Sequence, residues 1–94
     1  MRYKIFYHRN FFKEVGKIPS QHQENVKEIL RRVLQNPTQI PQNTKILKGY
    51  KQVFRTRIGK LRLIYYIDHK NKLVRVLGID TRGNVYKIIR RLLN

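Results

Sequence analysis

The sequence predicts an α+β domain: a small antiparallel sheet packed against an N-terminal helical hairpin, with a short C-terminal helix. Three observations predict it. A period-two segment opens the chain, a longer segment of helical period with start and stop signals follows, and two alternating segments meet at Gly59 and Lys60. Ninety-four residues suit one domain spanning 1–94. A chain of that size buries only about 60 to 65% of its unfolded surface, so the core must be modest.

Residues 2–8 alternate, with Tyr3, Ile5 and Tyr7 on one face, and read as a strand. Asn10 is the expected cap of a short helix through Phe11, Phe12 and Val15, ended by Gly16. Ser20 and Gln23, following Pro19, form an expected capping box. Val26, Ile29, Leu30, Val33 and Leu34 then recur at helical spacing until Asn36 and Pro37 stop the helix. The two helices are expected to pair. Residues 37–52 hold no sustained period and read as a long loop, either a contact segment or a solvated connector.

Val53–Ile58 and Leu61–Asp68 flank the Gly-X pair that a two-residue type II′ turn calls for. The turn fixes the register. Ile58 then faces Leu61, Thr56 faces Leu63 and Phe54 faces Tyr65 on the side that covers the helices. The other side carries Arg55, Arg57 and Arg62, with Arg57 directly across from Arg62. A third strand over residues 72–79, after a loop at His69, Lys70 and Asn71, is apolar on both faces, as a central strand is. Beyond residues 80–84, Val85, Ile88, Ile89, Leu92 and Leu93 give a short terminal helix.

Charge narrows the function. Lys and Arg total 22 against 5 Asp and Glu, a formal net charge of +17 that repels itself in a compact globule. An anionic complement is implied, either nucleic acid or an acidic protein. The basic residues are spread along the chain and not gathered on one amphipathic helix, so a membrane partner is not expected. Without cysteine there is no disulfide, zinc ribbon or thiolate nucleophile. The first ten residues lack the apolar run of a signal peptide, and a cytoplasmic protein is expected.

His8, His22 and His69 are scattered over a strand end, a helix start and a loop, and read as ordinary surface residues. Glu14, Glu24, Glu28, Asp68 and Asp80 are too few for a two-metal nuclease clamp. No phosphate loop or nucleophile elbow is present. Any RNA cleavage is therefore expected to proceed without a metal or other cofactor.

Two guanidinium groups facing each other across a hairpin repel, and a fold shaped for stability alone would place an opposite charge there. The arrangement suits a phosphate, which arginine grips with a planar, permanently charged fork. A solvated basic face is the plainer reading. Arg82 and Tyr86 flank the Gly83-Asn84 turn, which can return both side chains to the same face. A tyrosine there can stack on an unpaired base or exchange a proton at a scissile phosphate. Packing within the terminal helix is the alternative, although Tyr86 lies off that helix's apolar stripe.

Leu47-Lys48-Gly49, the run Phe54-Arg55-Thr56-Arg57-Ile58-Gly59-Lys60-Leu61-Arg62-Leu63-Ile64-Tyr65, and Arg82-Gly83-Asn84-Val85-Tyr86 occur in that order after a strand and a helical hairpin. The combination resembles the RelE/ParE toxin superfamily along nearly the whole chain. The resemblance implies a toxin of a toxin-antitoxin pair and, for the RelE branch, an endoribonuclease cutting messenger RNA in the ribosomal A site. Its implied partners are an acidic antitoxin, messenger RNA and the ribosome. Attack of a 2′-hydroxyl on the adjacent phosphate would leave a 2′,3′-cyclic phosphate and a 5′-hydroxyl.

By this similarity Arg62 stands at the family's sheet arginine, Arg82 near its late arginine and Tyr86 at its stacking tyrosine. The expected catalytic set is Arg57, Arg62, Arg82 and Tyr86, with Arg55, Lys48 and Lys60 binding substrate. Arg55 and Arg57 occupy positions where the RelE branch often has lysines. Arginine is effectively never deprotonated, so the general base stays open between Tyr86, Asp80 and groups of the ribosome or substrate. Two alternatives differ in class: the ParE branch poisons DNA gyrase, and a basic RNA- or DNA-binding module would grip phosphates without chemistry.

Overall fold

The computed structural model describes residues 2–93, without the side chain of Leu93. Strand β1 (Lys4–Tyr7) leads into helices α1 (Arg9–Gly16) and α2 (Ser20–Gln35). Strands β2 (Thr44–Ile46), β3 (Val53–Ile58), β4 (Leu61–Asp68) and β5 (Leu73–Asp80) follow, then α3 (Val85–Ile89) and a 3₁₀ turn, Arg90–Leu93. They build one five-stranded sheet in the order β1-β5-β4-β3-β2. The three pairings among β2, β3, β4 and β5 are antiparallel, whereas β1 joins β5 in parallel. That orientation follows from connectivity, because the whole helical hairpin separates β1 from the rest of the sheet.

The β3–β4 register is the expected one, from Ile58 opposite Leu61 through Arg57 opposite Arg62 to Phe54 opposite Tyr65. Gly59 takes φ 58°, the left-handed value that the first residue of the turn needs. One sheet face carries Ile58, Leu63, Tyr65, Ile67, Val74, Val76 and Ile79 against Phe11, Val26, Leu30 and Val33 of the helices. On the opposite face, Val53, Ile64 and Leu77 meet Leu47 and Val85, Ile88 and Ile89 of α3. A bulge makes this two-sided core possible. Between Ile64 and Tyr65 the register to β5 shifts by one residue, turning Val76 toward the helical hairpin and Leu77 toward α3.

Three local expectations are corrected. His8, not Asn10, caps α1, its ring Nδ1 accepting from the Asn10 backbone N–H at 3.2 Å. Ser20 makes no capping-box bond: Pro19 occupies the cap position, and the Gln23 amide donates to the Ile18 carbonyl at 3.0 Å. The 37–52 segment is not all loop, because Thr44–Ile46 adds an edge strand to β3. Its fastening is polar. A hydroxyl chain runs Thr44 to Thr56 to Tyr65 across three strands, each step 2.8 Å.

β1 stops at Tyr7, so the last residues of β5 present an unpaired edge to α1. An ion pair completes it. The Glu14 carboxylate accepts from the Ile79 N–H at 3.0 Å, and the Arg91 guanidinium donates to the Leu77 carbonyl at 2.9 Å. Guanidinium and carboxylate bond bidentately to each other at 3.0 and 2.8 Å. The fork crosses directly over Gly78, where any Cβ would collide with both side chains.

Glu14→Gln removes the carboxylate's charge while Arg91 stays largely buried, and loss of one partner in such a pair strands the other. The expected cost is about 1–3 kcal/mol. Urea unfolding checks it: the midpoint should fall with little change in slope, and Gly78→Ala should behave alike.

Candidate active site

Two-residue hairpins close on a hydrogen-bonded pair, which leaves the next pair, Arg57 and Arg62, without mutual backbone bonds and with side chains close together. The Arg57 N–H turns the other way and donates to the Asn43 carbonyl at 2.9 Å. A second like-charge pair lies alongside, Lys45 of β2 opposite Arg55 of β3. These residues, with Asn43 and Thr44, line an open groove of about 360 Å³. The Arg57 Nε donates to the Gly59 carbonyl at 3.3 Å, which steadies that side chain along the turn.

Among the described residues, Arg62 has one carboxylate neighbour. Its Nη1 lies 3.8 Å from Asp80 Oδ2, across the β4–β5 pairing. Asp80 is only 3% exposed, and its Oδ1 accepts from the backbone N–H groups of Arg82 and Asn84 at 3.1 and 2.9 Å. One buried carboxylate thus ends β5, shapes the loop that carries Arg82, and sets the starting direction of α3. Gly83 supports that loop with φ 74°.

The structure brings Arg55, Arg57 and Arg62 into one groove; Lys48, Lys60, Arg82 and Tyr86 are exposed but do not line it. Lys60 lies in the turn beside the Arg57/Arg62 pair. Tyr86 is 59% exposed, so it does not pack within α3, and its ring lies 6.2 Å from that of Tyr50. Lys45 escaped the sequence reading because its strand lies in the aperiodic segment. The histidines are more than surface residues: His8 caps α1, His69 accepts or donates at 2.6 Å with the Tyr3 hydroxyl, and His22 packs under Gly59. Among the described residues, no group of three or more His, Asp or Glu is placed to hold a metal ion. No helix there is long and apolar enough to cross a membrane.

Sheet order, helical hairpin and terminal helix together define a toxin of the RelE/ParE superfamily. Residues 5–86 match the family described as the ParE toxin of the type II toxin-antitoxin system parDE, and the chain belongs to that family. The RelE1 protein of Methanocaldococcus jannaschii is 29% identical over 90 residues, covering 93% of this chain and 98% of that protein. The RelE of the Pyrococcus horikoshii RelE-RelB complex is 25% identical with a TM-score of 0.74, over 89% of this chain and 99% of that one. A free E. coli RelE mutant also has a TM-score of 0.74, at 22% identity over 99% and 96% of the two chains.

The hydroxyl chain under the groove gives a pH signature. Burial pushes the Tyr65 phenol above its ordinary value, outweighing its bond to Thr56. A raised folded value means stability is present below the unfolded value of about 10 and lost as pH rises through the folded one. Chemical denaturation from pH 8 to 11 should show this alkaline loss in the wild type and a flatter limb in Tyr65→Phe.

Proposed function

We propose that this toxin is an RNA-cutting enzyme that inhibits translation by cleaving messenger RNA in the ribosomal A site. The observation that carries the reading is the groove itself: Arg55, Arg57, Arg62 and Lys45 converge on one sheet face at the cost of two like-charge pairings. Such a cluster is unfavourable until an anion enters. A phosphate passing through a pentacovalent state gathers negative charge, and preorganised cations stabilise it more than the ground state.

In this proposal the 2′-oxygen bonds to phosphorus, the bond to the 5′-oxygen breaks, the 2′-proton leaves to a base and the 5′-oxygen collects a proton. Arg57 and Arg62 hold the phosphoryl oxygens bidentately, and Arg55, Lys48 and Lys60 bind the flanking backbone. Arg82, exposed on the loop, meets the charge on the departing side. Tyr86 stacks on a base and offers its hydroxyl for proton transfer. Asp80, one of the candidates left open for the base, has a different role in this proposal. Buried behind Arg62 with Oδ1 already bonded, it serves as a positioning residue for Arg62 and for the Arg82 loop. The ribosome supplies the orientation that an open groove lacks.

An acidic antitoxin is the proposed regulator, covering the basic surface or displacing α3 with Tyr86. The Pyrococcus and M. jannaschii RelE structures are complexes with RelB, which supports a partner of that kind. The family description, a parDE toxin, favours one second reading, inhibition of DNA gyrase.

Primer extension on a reconstituted translation reaction tests the proposal. New messenger ends should require ribosomes, fall about 100-fold or more in Arg62→Ala, and fade in Tyr86→Phe. Unimpaired cleavage in Tyr86→Phe would remove its hydroxyl from the chemistry. Intact message with normal translation would overturn the nuclease reading and move the test to gyrase supercoiling.

A further inference from the structure

A second basic cavity lies on the same sheet face, at the other end of the strands. Phe6, His8, Arg9, Arg75 and Arg91 line a space of about 500 Å³ where β1 hands over to α1. Phe6 and Arg75 are register partners on adjacent strands, so their side chains leave the sheet on one side. Phe6 is 53% exposed, which leaves its ring face open to a ligand in the cavity. Arg91 is committed to Glu14, but among the described residues neither Arg9 nor Arg75 forms an ion pair.

We propose that this cavity is a second RNA site, in which Arg9 and Arg75 hold a backbone phosphate and Phe6 stacks on an adjacent unpaired base. The proposal rests on the RNA-cutting reading and extends it. Guanidinium groups beside an exposed ring are the combination that grips single strands without reading sequence, phosphates by charge and bases by their π faces. An acidic protein segment would also pair with the arginines, and a polyglutamate probe separates that partner from RNA.

Position supports the same ligand. Arg75 lies opposite Tyr66 and Asp80 opposite Arg62, so four residues of β4, roughly 13 Å, separate the two basic regions along the strand. A strand of about four nucleotides or more spans that distance. α3 packs on the apolar residues between them, leaving Tyr86 exposed at its start. His8 reports the local field: burial, then the guanidiniums of Arg91, Arg9 and Arg75, hold its imidazole below its ordinary value, against a raising effect of Glu14.

Fluorescence anisotropy with a labelled 2′-O-methyl 12-mer tests the site, since that strand lacks the attacking hydroxyl and reports binding apart from cleavage. The double variant Arg9→Ala/Arg75→Ala should bind at least tenfold more weakly at 100 mM salt, its log-log salt slope shallower by about 0.7 for each phosphate no longer neutralised. Phe6→Leu should lose about fivefold or more with the slope unchanged. Lys17→Ala/Lys70→Ala removes the same charge from exposed positions elsewhere and should lose much less.

Equal losses in the two double variants would overturn the site in favour of bulk charge. Undiminished RNA binding in Arg9→Ala/Arg75→Ala, with weakened binding of a polyglutamate peptide, would reassign the cavity to an acidic protein. The unmutated protein gives an independent reading. Saturation with the 12-mer should shift the Phe6 ring and His8 imidazole resonances seen by NMR, because both line the cavity; unmoved resonances overturn the proposal. None of these outcomes depends on whether message is cut, so failure here and failure of the nuclease reading are distinguishable.

Discussion

The bidentate pair of Glu14 and Arg91 is the interaction on which the end of the chain depends. It links α1 to the C-terminal turn, 77 residues apart, and satisfies the edge of β5 where β1 has ended. An unpaired N–H and C=O at that edge would each seek water or another strand. The pair acts as a short surrogate strand, accepting at Ile79 and donating at Leu77. Gly78 is the geometric condition for it, and the β5 bulge sets Gly78 under the fork. Four separate features of the sequence, Glu14, Gly78, Arg91 and the bulge, therefore have one explanation.

The pair also helps to hold α3 in place. α3 has five residues, too few to be helical alone, so its order comes from packing and tethering. Val85, Ile88 and Ile89 supply the packing, Asp80 fixes the start and Arg91 the end. All five carboxylates have a partner within the chain: Glu24 and Glu28 pair with neighbouring cations on α2, and Asp68 bonds Asn71. Two of the five, Glu14 and Asp80, secure the ends of α3, and among the described residues Arg62 alone of the groove's cations has a carboxylate near it, Asp80 at 3.8 Å. The scarcity of acid in a chain of net charge +17 is thus what keeps the basic face available to an external anion.

Much of this was legible in the sequence, and the limits have physical causes. The β3–β4 register followed from Gly59, because a two-residue turn leaves one pairing and each side chain's face is then fixed. The Arg57/Arg62 juxtaposition came with it. β2 stayed hidden, since three residues cannot display a period, and Lys45 with it. The capping box failed because Pro19 already occupies the cap position and Gln23 found the Ile18 carbonyl. Glu14 looked like one of several helix carboxylates. Its partner lies at the far end of the chain, and the edge it completes exists only because β1 is short and parallel.

The site's incompleteness has the same origin as its availability. An enclosed active site would desolvate its arginines, and three guanidiniums that share a single carboxylate neighbour at 3.8 Å cannot be buried at acceptable cost. The groove is therefore shallow and open, lined on one side by an edge strand that pairs with β3 and is tied across the sheet through Thr44, Thr56 and Tyr65. Such a surface presents charge well but orients a flexible strand poorly, because orientation needs contacts on several sides. α3 differs from the arginine face in what holds it: five helical residues have little intrinsic order, and their place depends on the apolar seat that Val85, Ile88 and Ile89 fill.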